Sequence, residues 1–138
     1  MGEITFTTDL ADIGPEHLTG FFVGWPNPPS PEIHLRLLYA SDAVVLARDD
    51  QRVIGYITAL TDHVLFSSIT SIEVLPGYQG RGIGRELMRR IVDRLEVYAT
   101  DVVCDESISP FYERLGMRRV TGMVHRRYDL QSGRLGPS

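Results

Sequence analysis

The residues best suited to chemistry lie in a glycine-rich segment, residues 76–85, which follows an apolar stretch and precedes an amphipathic one. Its glycines alternate with polar and basic residues: Gly77, Gln79, Gly80, Arg81, Gly82, Gly84 and Arg85. Glycine lets neighbouring backbone N–H groups turn toward one point without interference from a Cβ atom. The start of a helix adds unsatisfied donors and a partial positive charge. The segment therefore predicts an anion site suited to a diphosphate, to which Arg81 and Arg85 add charge-assisted bonds.

Two familiar nucleotide sites do not match this segment. A Walker loop needs a Gly-Lys-Ser/Thr sequence, and all 14 lysine-or-arginine positions of the chain are arginine. A dinucleotide fingerprint needs a third glycine where Arg85 stands. The sequence therefore indicates a different kind of diphosphate ligand.

The run Gln79-Gly80-Arg81-Gly82-Ile83-Gly84 resembles the Gln/Arg-x-x-Gly-x-Gly/Ala signature of the GNAT (Gcn5-related N-acetyltransferase) superfamily. The preceding Val74-Leu75-Pro76 and the later Phe111-Tyr112-Glu113-Arg114-Leu115-Gly116-Met117 are also similar to this family. The resemblance covers residues 53–116 closely and the rest of the chain by the order of its elements. The alternative interpretation is a glycine-rich turn that only links a strand to a helix.

The resemblance implies an enzyme that transfers an acetyl group from acetyl-CoA to a primary amine of a small molecule or peptide, by direct attack in a ternary complex. In this family the strand before the glycine loop and the next strand splay apart, and coenzyme A binds the exposed strand edge. Carried over to this sequence, the edge contains Ile72 and Val74. The diphosphate would lie over Gln79, Gly80, Arg81, Gly82, Ile83, Gly84 and Arg85. No metal is expected.

The resemblance also places Tyr112 at the position of the family's usual general acid. A phenol has a pKa of ~10 and a thiol a pKa of ~8.5, so a proton can pass between them. Tyr112 could therefore protonate the coenzyme A thiolate as it leaves. The alternative is a core tyrosine on a short helix. The neighbouring Phe111 is interpreted as a packing residue.

Glu73 is the candidate general base. It directly precedes Val74 at the acyl-transfer end of a predicted strand, where carboxylates are uncommon. A solvent-facing glutamate is the alternative interpretation, and a chain of water molecules could serve as the base instead. Asp105 and Glu106, after the next predicted strand, are further candidates for the base or for anchoring the amine, unless they belong to a solvated turn.

The segment between the first two predicted helices carries Phe22 and Trp25, followed by several prolines. In GNAT proteins this connection borders the acceptor pocket, and an indole face can hold a cationic amine. Both side chains could instead fill the core. His34 and His63 could also face the pocket, although no metal-ligand spacing is present. The single cysteine, Cys104, is interpreted as a small buried residue rather than an acyl carrier.

These residues need a scaffold, which hydrophobic periodicity predicts. We predict strands over residues 4–8, 43–47, 52–60, 64–75 and 100–104, and a last strand or hairpin over 117–128. Helices are predicted to begin at Pro15 and Pro31, and others to cover 83–95, with Val92 on the apolar stripe, and 107–115. The order β-α-α-β-β-β-α-β-α-β predicts an α/β fold, the GNAT fold, with a single mixed, mostly antiparallel sheet flanked by helices. We predict a single GNAT acetyltransferase domain over residues 1–130 and a flexible C-terminal tail over residues 131–138.

Composition narrows the class of function. The net charge of −4 argues against general nucleic-acid binding, and no apolar run approaches the ~20 residues of a membrane helix. One cysteine and the lack of a signal-peptide pattern favour a cytoplasmic location. A non-catalytic acyl-CoA-binding regulatory module and a purely structural domain are the alternatives to an enzyme. A homodimer is a further expectation, because relatives in this family often pair through their C-terminal strands.

Overall fold

The fold is that of a computed structural model, which describes residues 2–133. Five strands form one sheet, and their order across the sheet is their order along the chain. The strands are β1 (Ile4–Thr7), β2 (Ala43–Asp49), β3 (Arg52–Thr61), β4 (Phe66–Val74) and β5 (Ala99–Val102). β1 to β4 pair antiparallel, whereas β4 and β5 are parallel. A parallel pair needs a long crossover, and the helix Ile83–Leu95 provides it. The predicted mixed, mostly antiparallel sheet flanked by helices is confirmed.

Helices lie on both faces of this sheet: α1 (Pro31–Ala40), α2 (Ile83–Leu95) and α3 (Ser109–Glu113). Gly55 and Tyr56 of β3 show how they are arranged, because successive side chains of a strand point to opposite faces. A Cβ at Gly55 would lie 3.4 Å from the Leu87 side chain of α2. The centres of the Tyr56 ring and of the His34 ring on α1 are 4.5 Å apart. α1 and α2 therefore cover opposite faces.

The core runs through the middle of the sheet and under α2. β3 is buried at every position from Val53 to Ala59, as a strand covered on both faces must be. α2 buries the apolar side chains Ile83, Leu87, Met88, Ile91 and Leu95. Val92, predicted for the same stripe, is instead 43% exposed. It lies about 100° around the helix from Ile91, at the margin of the buried stripe.

Two elements differ from the prediction. The helix predicted to begin at Pro15 is a single 3-10 turn, Pro15–His17, because the backbone leaves helical geometry at Leu18. Gly20, with a φ of 94°, keeps the helix from resuming. The segment 117–128, predicted as a strand or hairpin, contains no strand in the described part of the chain. Its Val120 and Met123 side chains are 76% and 94% exposed, so no apolar face fixes the segment against the sheet.

The remaining elements differ mainly at their ends. The helix predicted over 107–115 is a 3-10 turn, Glu106–Ile108, followed by α3. Of the predicted flexible tail, residues 134–138 lie outside the described residues. None of the helices within residues 2–133 has the length and apolar character that crossing a membrane requires.

Candidate active site

The two strands predicted to splay are β4 and β5. They pair from Phe66 with Ala99 to Ile69 with Val102, where β5 ends. β4 continues over residues 70–74, whose edge on the β5 side has no strand partner within residues 2–133. A register shift in the β3–β4 pairing marks an irregularity at the point where the strands diverge. The gap implied by the family resemblance is therefore present.

The backbone of Val74 faces this gap. The Leu75 amide donates to the Ile54 carbonyl at 2.9 Å, which makes Gly55 and Val74 a non-hydrogen-bonded pair. The N–H and C=O groups of Val74 therefore point away from β3. The same alternation applies to Ile72, two residues earlier. Both residues predicted to contact the cofactor thus direct main-chain groups into the gap.

The glycine loop between β4 and α2 holds a set of unbonded amides. Gly80 and Gly82 have left-handed φ angles of 78° and 79°, and a Cβ built at either would meet no atom of residues 2–133 within 4 Å. The first satisfied amide of α2 is that of Glu86, which donates to the Gly82 carbonyl. Among the described residues, no acceptor faces the amides of Gly80, Gly82, Ile83, Gly84 and Arg85. With the positive end of α2 behind them, these amides form an open cradle for an anion.

Side chains hold the shape of this loop. Gln79 Nε2 donates to the Val74 carbonyl at 2.9 Å, across the base of the loop. The Arg81 guanidinium donates to a carbonyl of the loop and lies 5.1 Å from the centre of the Tyr78 ring. Arg85 is exposed and forms no ion pair with the part of the chain that is described. Gln79 and Arg81 therefore support the loop, while the charge of Arg85 is accessible to a phosphate.

Tyr112 lies on α3 and is 6% exposed. Phe111 packs between it and the loop: the Phe111 and Tyr112 rings are 5.0 Å apart, and a Cβ at Gly84 would lie 3.5 Å from the Phe111 ring. Burial raises the pKa of Tyr112 to about 12, and the nearby Cys104 adds to this rise. Its hydroxyl bonds to no residue that the structure describes. The phenol is therefore protonated at neutral pH, as a general acid must be before it acts.

Glu73 connects β4 to the loop formed by residues 20–25. Its Oε1 accepts the Phe22 amide at 2.8 Å, and its Oε2 accepts the Val23 amide at 3.3 Å. Phe22 has a φ of 63°, a left-handed conformation that is costly for a bulky residue. The two successive amides form a concave anion site, and the Glu73 carboxylate fills it. Each carboxylate oxygen still has lone pairs for a further donor, such as an amine.

Aromatic side chains surround the 20–25 loop. Phe22 is buried, and its ring lies 5.0 Å from that of Trp25, which is 45% exposed. The His34 ring packs against both Phe22 and Tyr56, and its centre lies 4.9 and 4.5 Å from the centres of their rings. Tyr56 is paired with Glu73 across β3 and β4. The structure thus brings Phe22 and Trp25, predicted for the acceptor side, to the loop that Glu73 holds.

The family of this chain follows from a match over most of its length. Residues 10–117 match the model of the acetyltransferase (GNAT) family. The chain belongs to the GNAT family. This GNAT domain is 45% identical to a solved protein from Deinococcus radiodurans R1, whose acetyltransferase activity is itself only proposed. The two structures superpose with a TM-score of 0.94, over 99% of this chain and 100% of the other.

More distant relatives carry more specific names. Histone acetyltransferase TAP1 from Glycine max is 27% identical over 107 residues, which cover 68% of this chain and 46% of that protein. The chain spans about half the length of the curated relatives it matches. A GNAT family acetyltransferase from Brucella melitensis, solved in complex with acetyl-CoA, is 21% identical with a TM-score of 0.63. That likeness covers 86% of this chain and 85% of the other, and concerns the fold.

Of the other residues predicted for the GNAT site, one forms an ion pair, one is exposed after β5, and one lies at the far end of β4. Glu106 begins the 3-10 turn after β5 and pairs with Arg119 at 3.0 Å. Asp105, which precedes it, is exposed. His63 is exposed at the β3–β4 turn, the end of β4 opposite the glycine loop. Within residues 2–133, no group of three or more His, Cys, Asp or Glu side chains is placed to hold a metal.

Sequence reasoning missed Tyr56 and the burial of His34. The signal for Tyr56 was a tyrosine within an apolar strand, because a buried hydroxyl needs a hydrogen-bond partner. In the structure, the Tyr56 hydroxyl lies 2.5 Å from Ser71 Oγ. His34 is 1% exposed, and neither ring nitrogen has a hydrogen-bond partner among the described residues. Burial lowers the pKa of His34 to about 4.

Proposed function

We propose that this GNAT domain transfers an acetyl group from acetyl-CoA to a primary amine of a small molecule or peptide, by direct attack in a ternary complex. The observation that carries the proposal is the open edge of β4 next to the unbonded amides at the start of α2. A diphosphate suits these amides, and an extended arm with amide groups suits the strand edge. The acetyl-CoA complex of the Brucella melitensis protein supports the same donor.

The donor fits the space that the glycine loop leaves open. Diphosphate oxygens would accept bonds from the amides of residues 80–85 and from the Arg85 guanidinium. A side chain at Gly80 or Gly82 would project into this space, where no atom of the described residues lies within 4 Å of a built Cβ. The amides of the pantetheine arm would pair with main-chain groups of Ile72 and Val74, as an added strand does.

The residues around the gap match the needs of acyl transfer. The amine lone pair must form a bond to the thioester carbonyl carbon while the C–S bond breaks. The Val74 N–H, directed into the gap, would stabilise the carbonyl oxygen as negative charge develops. Tyr112 would give its proton to the departing thiolate, and Glu73 would accept the proton that the amine loses, directly or through water.

The acceptor side suits a cationic amine. The half-exposed Trp25 indole lies beside Phe22, whose amide bonds to the Glu73 carboxylate. An aromatic face and a carboxylate together attract an ammonium group and hold it until it loses its proton. Asp105, exposed after β5, is a second candidate anchor for a positive charge of the acceptor.

The test is thiol release from acetyl-CoA with a panel of primary amines: polyamines, aminoglycosides, amino acids and N-terminal peptides. We expect release with at least one class, and initial-rate plots that intersect, as a ternary complex requires. Binding of acetyl-CoA without release on any amine would support the non-catalytic acyl-CoA-binding module instead. Failure to bind any coenzyme A species would refute both.

We also propose that the protein forms a homodimer through residues 117–128. This segment exposes Val120 and Met123, and the outer edge of β5 has no strand partner within residues 2–133. A second copy could cover both features at once. Sedimentation should give twice the mass of one chain, and Met123→Arg should shift the mass toward that of one chain. A single-chain mass at every concentration would contradict the proposal.

A further inference from the structure

His34 is a buried imidazole without a polar partner. Its side chain is 1% exposed, and neither Nδ1 nor Nε2 finds a hydrogen-bond partner within residues 2–133. Buried polar groups nearly always have one. A leucine would fill a similar volume without leaving polar atoms unpaired. Packing alone therefore does not account for a histidine at this position.

The imidazole contacts the base of the 20–25 loop. The centre of its ring lies 5.3, 4.9 and 4.5 Å from the ring centres of Phe21, Phe22 and Tyr56, respectively. All three contacts are edge-to-face. Phe22 is also the residue with the left-handed backbone, and its amide bonds to Glu73. The His34 ring thus supports the point at which the loop is both strained and attached to β4.

We propose that His34 is a positioning residue that holds the 20–25 loop on β4 while its ring is neutral, and that protonation of the ring releases the loop. An imidazolium among three aromatic rings would be buried without an oxygen to accept its protons. The other titratable and charged groups on α1 are Glu32, Arg36 and Tyr39. Those on the 3-10 turn Pro15–His17 and on β2 to β4 are Glu16, His17, Arg48, Asp49, Arg52, Tyr56 and Glu73. Both Glu73 oxygens already accept loop amides.

The consequence is an opening equilibrium that depends on pH. An exposed histidine has a pKa of ~6.5, whereas burial lowers the pKa of His34 to about 4 in the closed form. The open form therefore binds the proton more tightly, and stability of the closed loop is lost as pH falls below the higher of these values. Between about pH 7.5 and about pH 5, the opening constant should rise about 30-fold.

Hydrogen exchange at the Phe22 and Val23 amides measures this opening directly, because both amides bond to Glu73. The range stops at about pH 5, since carboxylates titrate below it. After correction for intrinsic exchange, the wild-type opening constants should show the rise of about 30-fold. The rise should disappear in His34→Leu and in His34→Gln, which keeps a polar side chain but does not titrate. His125→Gln, at an exposed histidine, should retain it.

Three results would overturn the proposal. The first is a wild-type opening constant that does not change with pH. The second is a rise that persists in the His34 variants; if His34→Leu does not fold, His34→Gln decides. The third is an opening free energy at the Phe22 and Val23 amides equal to that at the core amides of β3, because exchange would then report global unfolding and not opening of the loop. The acceptor role of the loop rests on the proposed function, but this measurement needs neither amine nor acetyl-CoA, so the two proposals fail separately.

Discussion

The two long helices beside the candidate site begin in opposite ways. At α1, the Ser30 hydroxyl accepts the Ile33 amide at 3.2 Å, so a side chain of the protein caps the helix. At α2, the N-cap is Gly82, which has no side chain to offer, and the first amides stay unbonded. The 20–25 loop follows the pattern of α1, because the Glu73 carboxylate fills its pair of amides.

This difference separates the proposed donor side, which is the glycine loop with the start of α2, from the proposed acceptor side, which is the 20–25 loop with Glu73. Backbone donors left without a partner are costly unless water or a ligand satisfies them, so the unbonded amides of α2 are available to the diphosphate that we propose. On the acceptor side the protein satisfies its own donors, and packed aromatic side chains set the shape instead. Donor-side variants should therefore change acetyl-CoA binding or the chemical step, and acceptor-side variants should change the use of the amine.

Tyr112 gives the largest expected effect, since its hydroxyl is another donor without a partner in the described residues. Tyr112→Phe should lower kcat by about 10²–10⁴-fold, the worth of a positioned acid. Acetyl-CoA affinity should not change, because the ring keeps its packing on Phe111. Thiol-release kinetics and calorimetry measure the two quantities. Tyr98→Phe, at a tyrosine that is 83% exposed, is the matched control. Unchanged kcat with binding intact would make Tyr112 a core residue only.

Gly82→Val tests the cradle itself. Valine is strained at a φ of 79°, and its side chain would stand in the open space over the loop. We expect acetyl-CoA to bind about 100-fold more weakly, or about 2.7 kcal/mol, by calorimetry. Gly77→Ala is the matched control, because Gly77 has no positive φ and a Cβ built on it would meet no atom within 4 Å in the described part of the chain. Equal losses in the two variants would mean that the loop binds no diphosphate at the α2 amides.

Glu73→Gln tests the acceptor side. The amide side chain has one acceptor oxygen, so one of the two loop bonds is lost, and it cannot take a proton from the amine. We expect kcat/KM for the amine to fall by at least about 10-fold, and the acidic limb of its pH profile to disappear. Acetyl-CoA affinity should stay the same. Asp93→Asn removes an exposed carboxylate of α2 as a control. An acidic limb that stays in place would exclude Glu73 as the base.

The donor side could be predicted from the sequence because its determinants are local. An apolar strand, closely spaced glycines and an amphipathic helix follow one another along residues 64–95. The unbonded amides follow from that order alone, through the geometry of a helix start. Even the direction of the Val74 backbone follows once β3 and β4 are paired in register.

For the acceptor side, the family resemblance indicates Phe22, Trp25 and Glu73, but their contacts could not be predicted, because these contacts join distant parts of the chain. Phe22, His34, Tyr56 and Glu73 meet only through tertiary packing. The sequence gives no sign that Phe22 adopts a left-handed φ, since this conformation is maintained by contacts from β4 and α1. The prediction of a strand or hairpin over residues 117–128 was wrong for a related reason: a strand depends on a partner strand, and within residues 2–133 none pairs with this segment.

Ser30→Ala should give the smallest effect and the sharpest separation of the two sides. Loss of the hydroxyl leaves the Ile33 amide without its cap, which should lower the free energy of unfolding by about 1 kcal/mol in urea denaturation. Acetyl-CoA affinity should not change, because α1 and α2 lie on opposite faces of the sheet. Ser107→Ala, at an exposed serine, controls for the loss of a hydroxyl. If Ser30→Ala weakened acetyl-CoA binding as much as Gly82→Val, the two helix starts would be coupled through the sheet, and the division into donor and acceptor sides would not hold.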